Sequence, residues 1–211
     1  MKYFLLIIIL LLSYQAPAKT IEDQRTWVGF FGRKNITQKY DLWMEVQLRH
    51  DEGQQTMNQT LNRFGFLKNL NSDQEIGFLF AYVQTGLTKE YRPTLHHTYK
   101  KNWLENNFSL RNRLEFRDIE NNESDSIRLR SQFRWLHPVT QNYNLVIWEE
   151  IFLNITNESW TGNRTFERNR AFVGTRLKFN ELSYEIGYMN QYVPRKELST
   201  MEHILTLYLF F

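Results

Sequence analysis

Eight arginines stand at alternate positions along three stretches of this sequence, and their chemistry is the most distinctive feature of the chain. Six lie within residues 108–117 and 127–136, and two more flank residue 173. They are Arg111, Arg113, Arg117, Arg128, Arg130, Arg134, Arg170 and Arg176. A guanidinium fork binds carboxylate, phosphate or sulfate groups through paired hydrogen bonds. The expected chemistry is therefore ion pairing or anion binding, provided that one kind of element directs all eight side chains to the same side.

That element is a β-strand, because side chains of a strand alternate between its two faces. Clear alternation of apolar and polar residues covers 40–49, 108–117, 127–136, 168–179, 182–188 and 205–211. Weaker extended segments cover 26–33, 61–69, 75–84, 93–101 and 143–153. We therefore predict about eleven strands, many of about ten residues, which is the length that a tilted strand needs to cross a bilayer.

The N-terminus carries the pattern of a secretory signal. Lys2 precedes ten apolar residues, 3–12, and Ala16 and Ala18 supply the small residues that a signal peptidase reads. This apolar run is too short for a mature membrane helix. We expect residues 1–18 to be a cleaved signal peptide and residues 19–211 to form a single barrel domain.

Two further features favour an outer-membrane barrel over a soluble, lipocalin-like one, which would alternate in the same way. The chain ends on Phe211 in a strand with leucines at 205, 207 and 209, which resembles the terminal signal that the barrel assembly machinery reads. Aromatic residues near strand ends suit interfacial girdles: Tyr40, Trp103, Trp135, Tyr143, Tyr184 and Tyr192. The prediction is an all-β, up-and-down antiparallel transmembrane β-barrel of about 10–12 strands in the cell outer membrane of a Gram-negative bacterium, in contact with lipid.

The links between these strands alternate in length. Short links are expected near 35–38, 69–73, 101–103, 138–142 and 180–181, and longer ones at 51–59, 85–92, 118–125, 154–165 and 193–200. In outer-membrane barrels the short turns face the periplasm. If this alternation of short and long links holds along the whole chain, the strand 26–33 would start outside the cell, although the N-terminus should stay in the periplasm. Either a short strand near 20–25 precedes it, or that segment lies inside the lumen.

Several polar motifs resemble a bacterial family, domain of unknown function 2490. They are Arg111-Asn-Arg-Leu-Glu115-Phe-Arg117, Glu150-Ile-Phe-Leu-Asn154, Asn169-Arg170 with Gly174, and Glu185-Ile-Gly-Tyr-Met-Asn-Gln191. The resemblance covers residues 27–211. It implies an outer-membrane β-barrel and implies no particular reaction.

If the apolar faces meet lipid, the eight arginines line the lumen together with Glu115 and Glu150. Candidate counter-charges also include Glu45, Glu75 and Glu185. One hypothesis is a small pore or solute-binding barrel whose arginines guide anionic small solutes. The alternative is a structural or adhesive barrel whose narrow lumen is filled by a ladder of Arg–Glu salt bridges.

Other classes of function have little support in the sequence. The chain has no cysteine, and its net charge of +3 is small for a nucleic-acid-binding protein. The adjacent His96 and His97 point to opposite faces of a strand, which is poor geometry for a metal site. His50-Asp51 at a rim is a weak sign of a hydrolase. We expect no enzyme, with an outer-membrane hydrolase as a distant alternative, and no cofactor, catalytic residue, metal site or nucleic-acid partner.

Overall fold

The computed structural model describes residues 20–51, 57–122, 124–195 and 198–211. The expected signal peptide and its cleavage site lie outside the described residues. Within the described ranges, no helix has the length and apolar character needed to cross a membrane. The one helical element there is a single 3₁₀ turn, Ser159–Thr161.

The described residues form eleven strands that close into one barrel. The strands are β1 (Thr20–Asn35), β2 (Tyr40–Asp51), β3 (Met57–Asn69), β4 (Gln74–Thr85), β5 (Thr88–Trp103), β6 (Asn106–Ile119), β7 (Ser126–Pro138), β8 (Tyr143–Asn154), β9 (Phe166–Phe179), β10 (Leu182–Val193) and β11 (Ser199–Phe210). Each strand pairs with its sequence neighbours in antiparallel register. The prediction of a closed all-β barrel of 10–12 strands is therefore confirmed.

Closure of the barrel uses one parallel pair. β1 pairs with β11 from Thr20 opposite Ser199 to Phe31 opposite Phe210. An odd number of alternating strands gives the first and last strands the same direction, so their pairing has to be parallel. Neither expected solution for residues 20–25 is right, and β1 starts at the same end of the barrel as β11, beside Ser199. These residues belong to β1 itself, which is longer than the sequence pattern suggested.

The two ends of the barrel differ in their connections. The turn rim carries the links 36–39, 70–73, 104–105, 139–142 and 180–181, and the loop rim is the end at which β2, β4, β6, β8 and β10 finish, with Asp51, Thr85, Ile119, Asn154 and Val193. The expected long link at 85–92 is wrong. Thr85 pairs directly with Thr88, and Gly86, with φ of +58°, lets a two-residue turn join β4 to β5. Pro93 lies inside β5, where the ladder to β6 skips Arg92 and Pro93 because proline has no N–H to donate.

Apolar side chains cover the outer surface of the barrel. Those more than half exposed include Phe64, Phe66, Phe78, Leu95, Val173, Ile186 and Leu205. Burying such a surface in lipid is favourable, whereas leaving it in water is not. The alternation therefore places the charged face inside and the apolar face outside, which is the arrangement of a membrane barrel.

The interior is not uniformly polar. A cluster of buried apolar residues lines the wall formed by β1 and β8–β11: Trp27, Val146, Trp148, Phe172, Met189, Ile204 and Tyr208. Trp148 and Phe172 stack with ring centroids 5.0 Å apart. Gly187 makes room for this stack, because a Cβ there would lie 2.5 Å from Cζ of Phe172. The side of the inner wall formed by β1 and β8–β11 is thus rich in aromatic residues, although buried charged residues such as Glu150, Arg170 and Glu185 lie on the same strands.

Candidate functional site

Glu115 lies at the centre of the charged part of the interior. Its carboxylate, which is fully buried, accepts hydrogen bonds from Arg63 at 3.3 Å, Arg128 at 2.5 Å and Arg130 at 2.6 Å. These groups come from β3, β6 and β7. Arg63 reaches Glu115 from outside the β6–β7 hairpin, so the contact ties distant strands together across the interior.

Glu150 on β8 extends this network toward the aromatic wall. It accepts hydrogen bonds from Arg111 at 3.1 Å and Arg130 at 2.9 Å, and Arg170 lies 3.6 Å away. Arg130 therefore bridges Glu115 and Glu150. We call this set, Arg63, Arg111, Arg113, Arg128, Arg130 and Arg170 with Glu45, Glu115 and Glu150, the mid-barrel cluster.

The remaining predicted site residues also face the interior, in pairs nearer the rims. Arg117 donates to Glu90 at 2.6 Å, and Arg128 also reaches Glu167 at 2.9 Å. Arg134 and Arg176 share Glu185, with Arg176 at 3.0 Å. Glu75 accepts from Arg33 at 2.9 Å and from Lys100 at 2.8 Å near the turn rim.

Arg113 has the weakest pairing among the predicted residues. Its closest carboxylate, on Glu45, is 3.9 Å away, and its Nε donates to Nδ1 of His96 at 3.2 Å. His96 is buried, with Thr98 at 2.8 Å, whereas His97 faces outward. Within the described ranges, no group of three or more His, Asp or Glu residues is arranged to hold a metal ion.

Sequence reasoning missed two important interior residues, Trp27 and Arg49. The guanidinium of Arg49 lies 3.9 Å from the centroid of the Trp27 ring, and that of Arg170 lies 4.8 Å from it. Arg49 donates to Gln47 and Gln59, and no carboxylate among the described residues lies within ion-pair distance of it. Arg49 alternates in phase with Glu45 in β2, so the sequence pattern could have placed its side chain in the interior. Trp27 gave no such signal, because it lies in a weakly alternating segment.

Two cavities meet at Trp27. A cavity of about 330 Å³ extends from the turn rim and is lined there by Arg33, Glu75 and Lys100. A second cavity, of about 390 Å³, opens at the loop rim beside Arg49. Trp27 contributes to the wall of both cavities. The indole, with the guanidinium groups of Arg49 and Arg170 over its ring, therefore lies between the two cavities.

Several buried donors in this region have no acceptor. The unpartnered atoms include Nε1 of Trp27 and Nε of Arg63, Arg111 and Arg130. Trp27, Arg111 and Arg130 line the turn-side cavity. A buried N–H without an acceptor is costly, so such groups are normally satisfied by water or by a bound acceptor. Eight Arg and Lys side chains and four Glu side chains line this cavity, so its wall carries an excess of positive charge that suits an anion.

Comparisons with known proteins agree with this architecture. The profile of the family described as "Protein of unknown function (DUF2490)" matches residues 24–202. The chain belongs to this family. An uncharacterized protein of Methylorubrum extorquens, MexAM1_META1p0181, is 29% identical over 210 residues, which cover 93% of this chain and 90% of that protein.

Among solved structures, the NanC porin resembles this fold. The TM-score is 0.54 at 10% sequence identity, and the match covers 83% of this chain and 93% of the porin. At such low identity the likeness concerns the fold alone. This chain is accordingly a porin-like β-barrel, and what its interior does has to be argued from its own residues.

Proposed function

We propose that this protein is a non-enzymatic outer-membrane barrel that binds small anions in its interior and conducts them slowly between the two rims. The observation that carries the proposal is the charge of the turn-side cavity wall, which is lined by eight Arg and Lys side chains and by four Glu side chains. An interior that served only to fill space would gain stability by matching each buried charge to a counter-charge.

The charge of the mid-barrel cluster points in the same direction. Six arginines there share three glutamates, and only Arg128 gains a further carboxylate, on Glu167. Arg49 adds another positive charge next to Trp27. Fixed charges in a confined space of low dielectric constant attract counter-ions and repel ions of like charge. The interior therefore favours anions over cations.

Planar-bilayer recording of the purified protein in a potassium chloride gradient tests this proposal. We expect small single-channel currents whose reversal potential is shifted toward the equilibrium potential of chloride. Arg111→Gln and Arg49→Gln should each reduce the anion preference. Lys89→Gln is the matched control, because it removes the same charge from an exposed ion pair with Glu120 at the loop rim. Cation preference, or equal effects of all three substitutions, would contradict the proposed mechanism.

A plugged structural barrel is the second candidate, and a specific observation favours it. Arg63, Glu115 and Arg128 are each at most 3% exposed, so the mid-barrel cluster is densely filled. Such a barrel would not conduct at all. If the wild-type protein inserts into bilayers in a protected, folded form but carries no current, the plugged barrel is the correct description and the conduction proposal fails.

Location in the outer membrane is part of this proposal. The apolar outer surface and the porin-like fold support it, with lipid and the barrel assembly machinery as partners. Fractionation of the source cells tests it directly. Recovery of the protein in the soluble periplasmic fraction would exclude the location and favour a lipocalin-like role.

A further inference from the structure

A third pocket, of about 580 Å³, opens at the loop rim, and we call it the rim pocket. Its wall is formed by the ends of β6 and β10, at Ile119 and Val193, by the start of β9 and by part of the link 155–165. The rim pocket shares Arg168 with the loop-side cavity beside Arg49, and it shares no lining residue with the turn-side cavity. It is therefore a separate site at the mouth of the lumen.

The wall of the rim pocket is strongly basic. Its charged residues within the described ranges are four arginines and one carboxylate: Arg117, Arg164, Arg168, Arg195 and Glu167. The carboxylate already contacts Arg168 at 2.6 Å, Arg128 at 2.9 Å and Arg117 at 3.7 Å. None of these ion pairs reaches Arg164 or Arg195, and no other carboxylate in the described part of the chain pairs with them. The pocket therefore keeps a surplus of positive charge that a bound anion would neutralise.

A β-bulge at the start of β9 builds part of this wall. Phe152 on β8 is opposite Arg168, and the next pair in the ladder skips Glu167. In a regular strand Glu167 would point outward, because side chains alternate and the Arg168 guanidinium lies over the interior ring of Phe152. The extra residue instead allows both side chains to face inward, and Glu167 reaches Arg128 of β7 at 2.9 Å. Bulges re-aim side chains in this way at barrel rims and beside functional sites.

The bulge and its contacts fix two of the arginines before any ligand binds. Arg168 donates to Glu167 from Nε at 3.1 Å and from Nη2 at 2.6 Å, and its Nη1 has no acceptor among the described residues. Arg117 donates from Nε to Glu90 at 2.6 Å, and its guanidinium lies 4.7 Å from the centroid of the Trp160 ring. Donors that are already ordered lose less conformational entropy when a ligand binds.

We propose that the rim pocket binds a soluble, phosphate-bearing anion at the mouth of the lumen. Its arginines come from four separate segments, which are β6, the link after β8, β9 and the link after β10. A phosphate group offers three acceptor oxygens and about two negative charges, whereas a carboxylate offers two oxygens in one plane. Guanidinium groups that approach from several directions therefore suit phosphate better than carboxylate.

The ligand reaches this pocket from the lumen side. Arg117 is buried, at 8% exposure, and Glu90, its ion-pair partner, is buried in the interior as well. Arg168 also lines the loop-side cavity. A lipid headgroup on the outer surface of the barrel would not reach these two arginines, so the ligand is a solute. The inference does not depend on conduction, because a barrel that carries no current could still hold an anion at its rim.

Calorimetric titration of the folded, detergent-solubilised barrel with inorganic pyrophosphate at low ionic strength tests this inference. Arg164→Gln should weaken binding about tenfold, because a charged hydrogen-bonding partner is lost. The Arg164 side chain lies in a link and makes no hydrogen bond to another described residue, so the variant should fold, as heat-modifiable migration on gels would verify. Lys89→Gln is the matched control, since it removes the same charge from the same rim outside the pocket, and it should leave binding within about twofold of wild type.

Three further arms distinguish this site from other sources of binding. Arg111→Gln, in the turn-side cavity, should leave pyrophosphate binding unchanged. Acetate at the same concentration, and mixed micelles containing phosphatidic acid, should not displace pyrophosphate. Displacement by acetate would show that any anion suffices, and displacement by phosphatidic acid would identify a lipid headgroup as the ligand, so either result would overturn the inference.

The variants also separate this inference from the conduction proposal. Equal weakening by Arg164→Gln and Lys89→Gln would indicate a general field at the rim and would refute a defined site. Weakening by Arg111→Gln but not by Arg164→Gln would place the anion in the turn-side cavity and would refute it too. Arg164-dependent binding by a barrel that carries no current would support the rim pocket and refute conduction alone.

Discussion

Replacing Glu115 by glutamine tests whether the mid-barrel cluster acts as the core of this barrel. Glu115 is fully buried and contacts Arg63, Arg128 and Arg130 at 3.3, 2.5 and 2.6 Å. Glutamine keeps the shape and one acceptor oxygen but removes the charge. The three guanidinium groups then repel one another with less compensation.

The expected loss of stability follows from the carboxylates that each arginine retains in the variant. Arg63 retains Glu45 at 2.8 Å, Arg128 retains Glu167 at 2.9 Å and Arg130 retains Glu150 at 2.9 Å. Removing one partner from a buried ion pair typically costs about 3–5 kcal/mol. Because no arginine loses its last carboxylate, we expect the lower end, a decrease of about 3 kcal/mol in the free energy of unfolding.

Urea unfolding of the refolded barrel in lipid vesicles, followed by tryptophan fluorescence, measures this change. Glu120→Gln is the matched control, because its ion pair with Lys89 is 41% exposed on both sides. Exposed pairs contribute about 0–1 kcal/mol. If Glu115→Gln destabilises the barrel no more than Glu120→Gln does, the interior ion pairs do not replace a hydrophobic core and the reasoning is wrong.

Three further changes have definite expected outcomes. Trp27→Ala should join the turn-side and loop-side cavities and raise the single-channel conductance, and an unchanged conductance would show that the indole does not separate them. Gly174→Ala should destabilise the barrel by about 1–3 kcal/mol in the same urea assay, because the new Cβ would lie 2.5 Å from the carbonyl oxygen of Ile186. Deletion of Phe211 should reduce insertion in a membrane-fraction assay, since its backbone closes β11 onto β1 by donating to Phe31 at 3.0 Å and accepting from Arg33 at 3.1 Å; normal insertion of the deletion variant would contradict this.

The barrel itself was predictable because its signal is local. In β6 and β7 each arginine has an apolar neighbour on at least one side, and the polar exceptions among these neighbours are Asn112, Asp118 and Ser131. Parity alone then assigns the faces. The same rule works at Glu149 and Glu150, where one of two adjacent carboxylates has to leave the interior. Of the two, Glu150 is the one that the sequence predicts to lie in the lumen, and there it accepts hydrogen bonds from Arg111 and Arg130 on other strands.

Long-range features of the barrel were not predictable in this way. The parallel closure between Thr20 and Ser199 depends on the strand count, and no local pattern encodes it. The aromatic wall was missed because Trp148 and Phe172 sit among other apolar residues, so that both faces of their strands look alike. Pro93 misled the placement of β5 because proline is usually confined to strand ends, whereas here it occupies a gap in the ladder.

The distribution of charge along the lumen determines how an anion would pass through it. At the turn rim, Arg33 and Lys100 are balanced by Asp41 and Glu75, so an ion entering there meets little net field. Further in, the arginines of the mid-barrel cluster outnumber their carboxylates, and the potential becomes positive. Selectivity should therefore arise in the interior and not at this rim. Because those charges are half-buried or buried, added salt should screen them less than it screens exposed groups, and anion preference should persist as ionic strength rises.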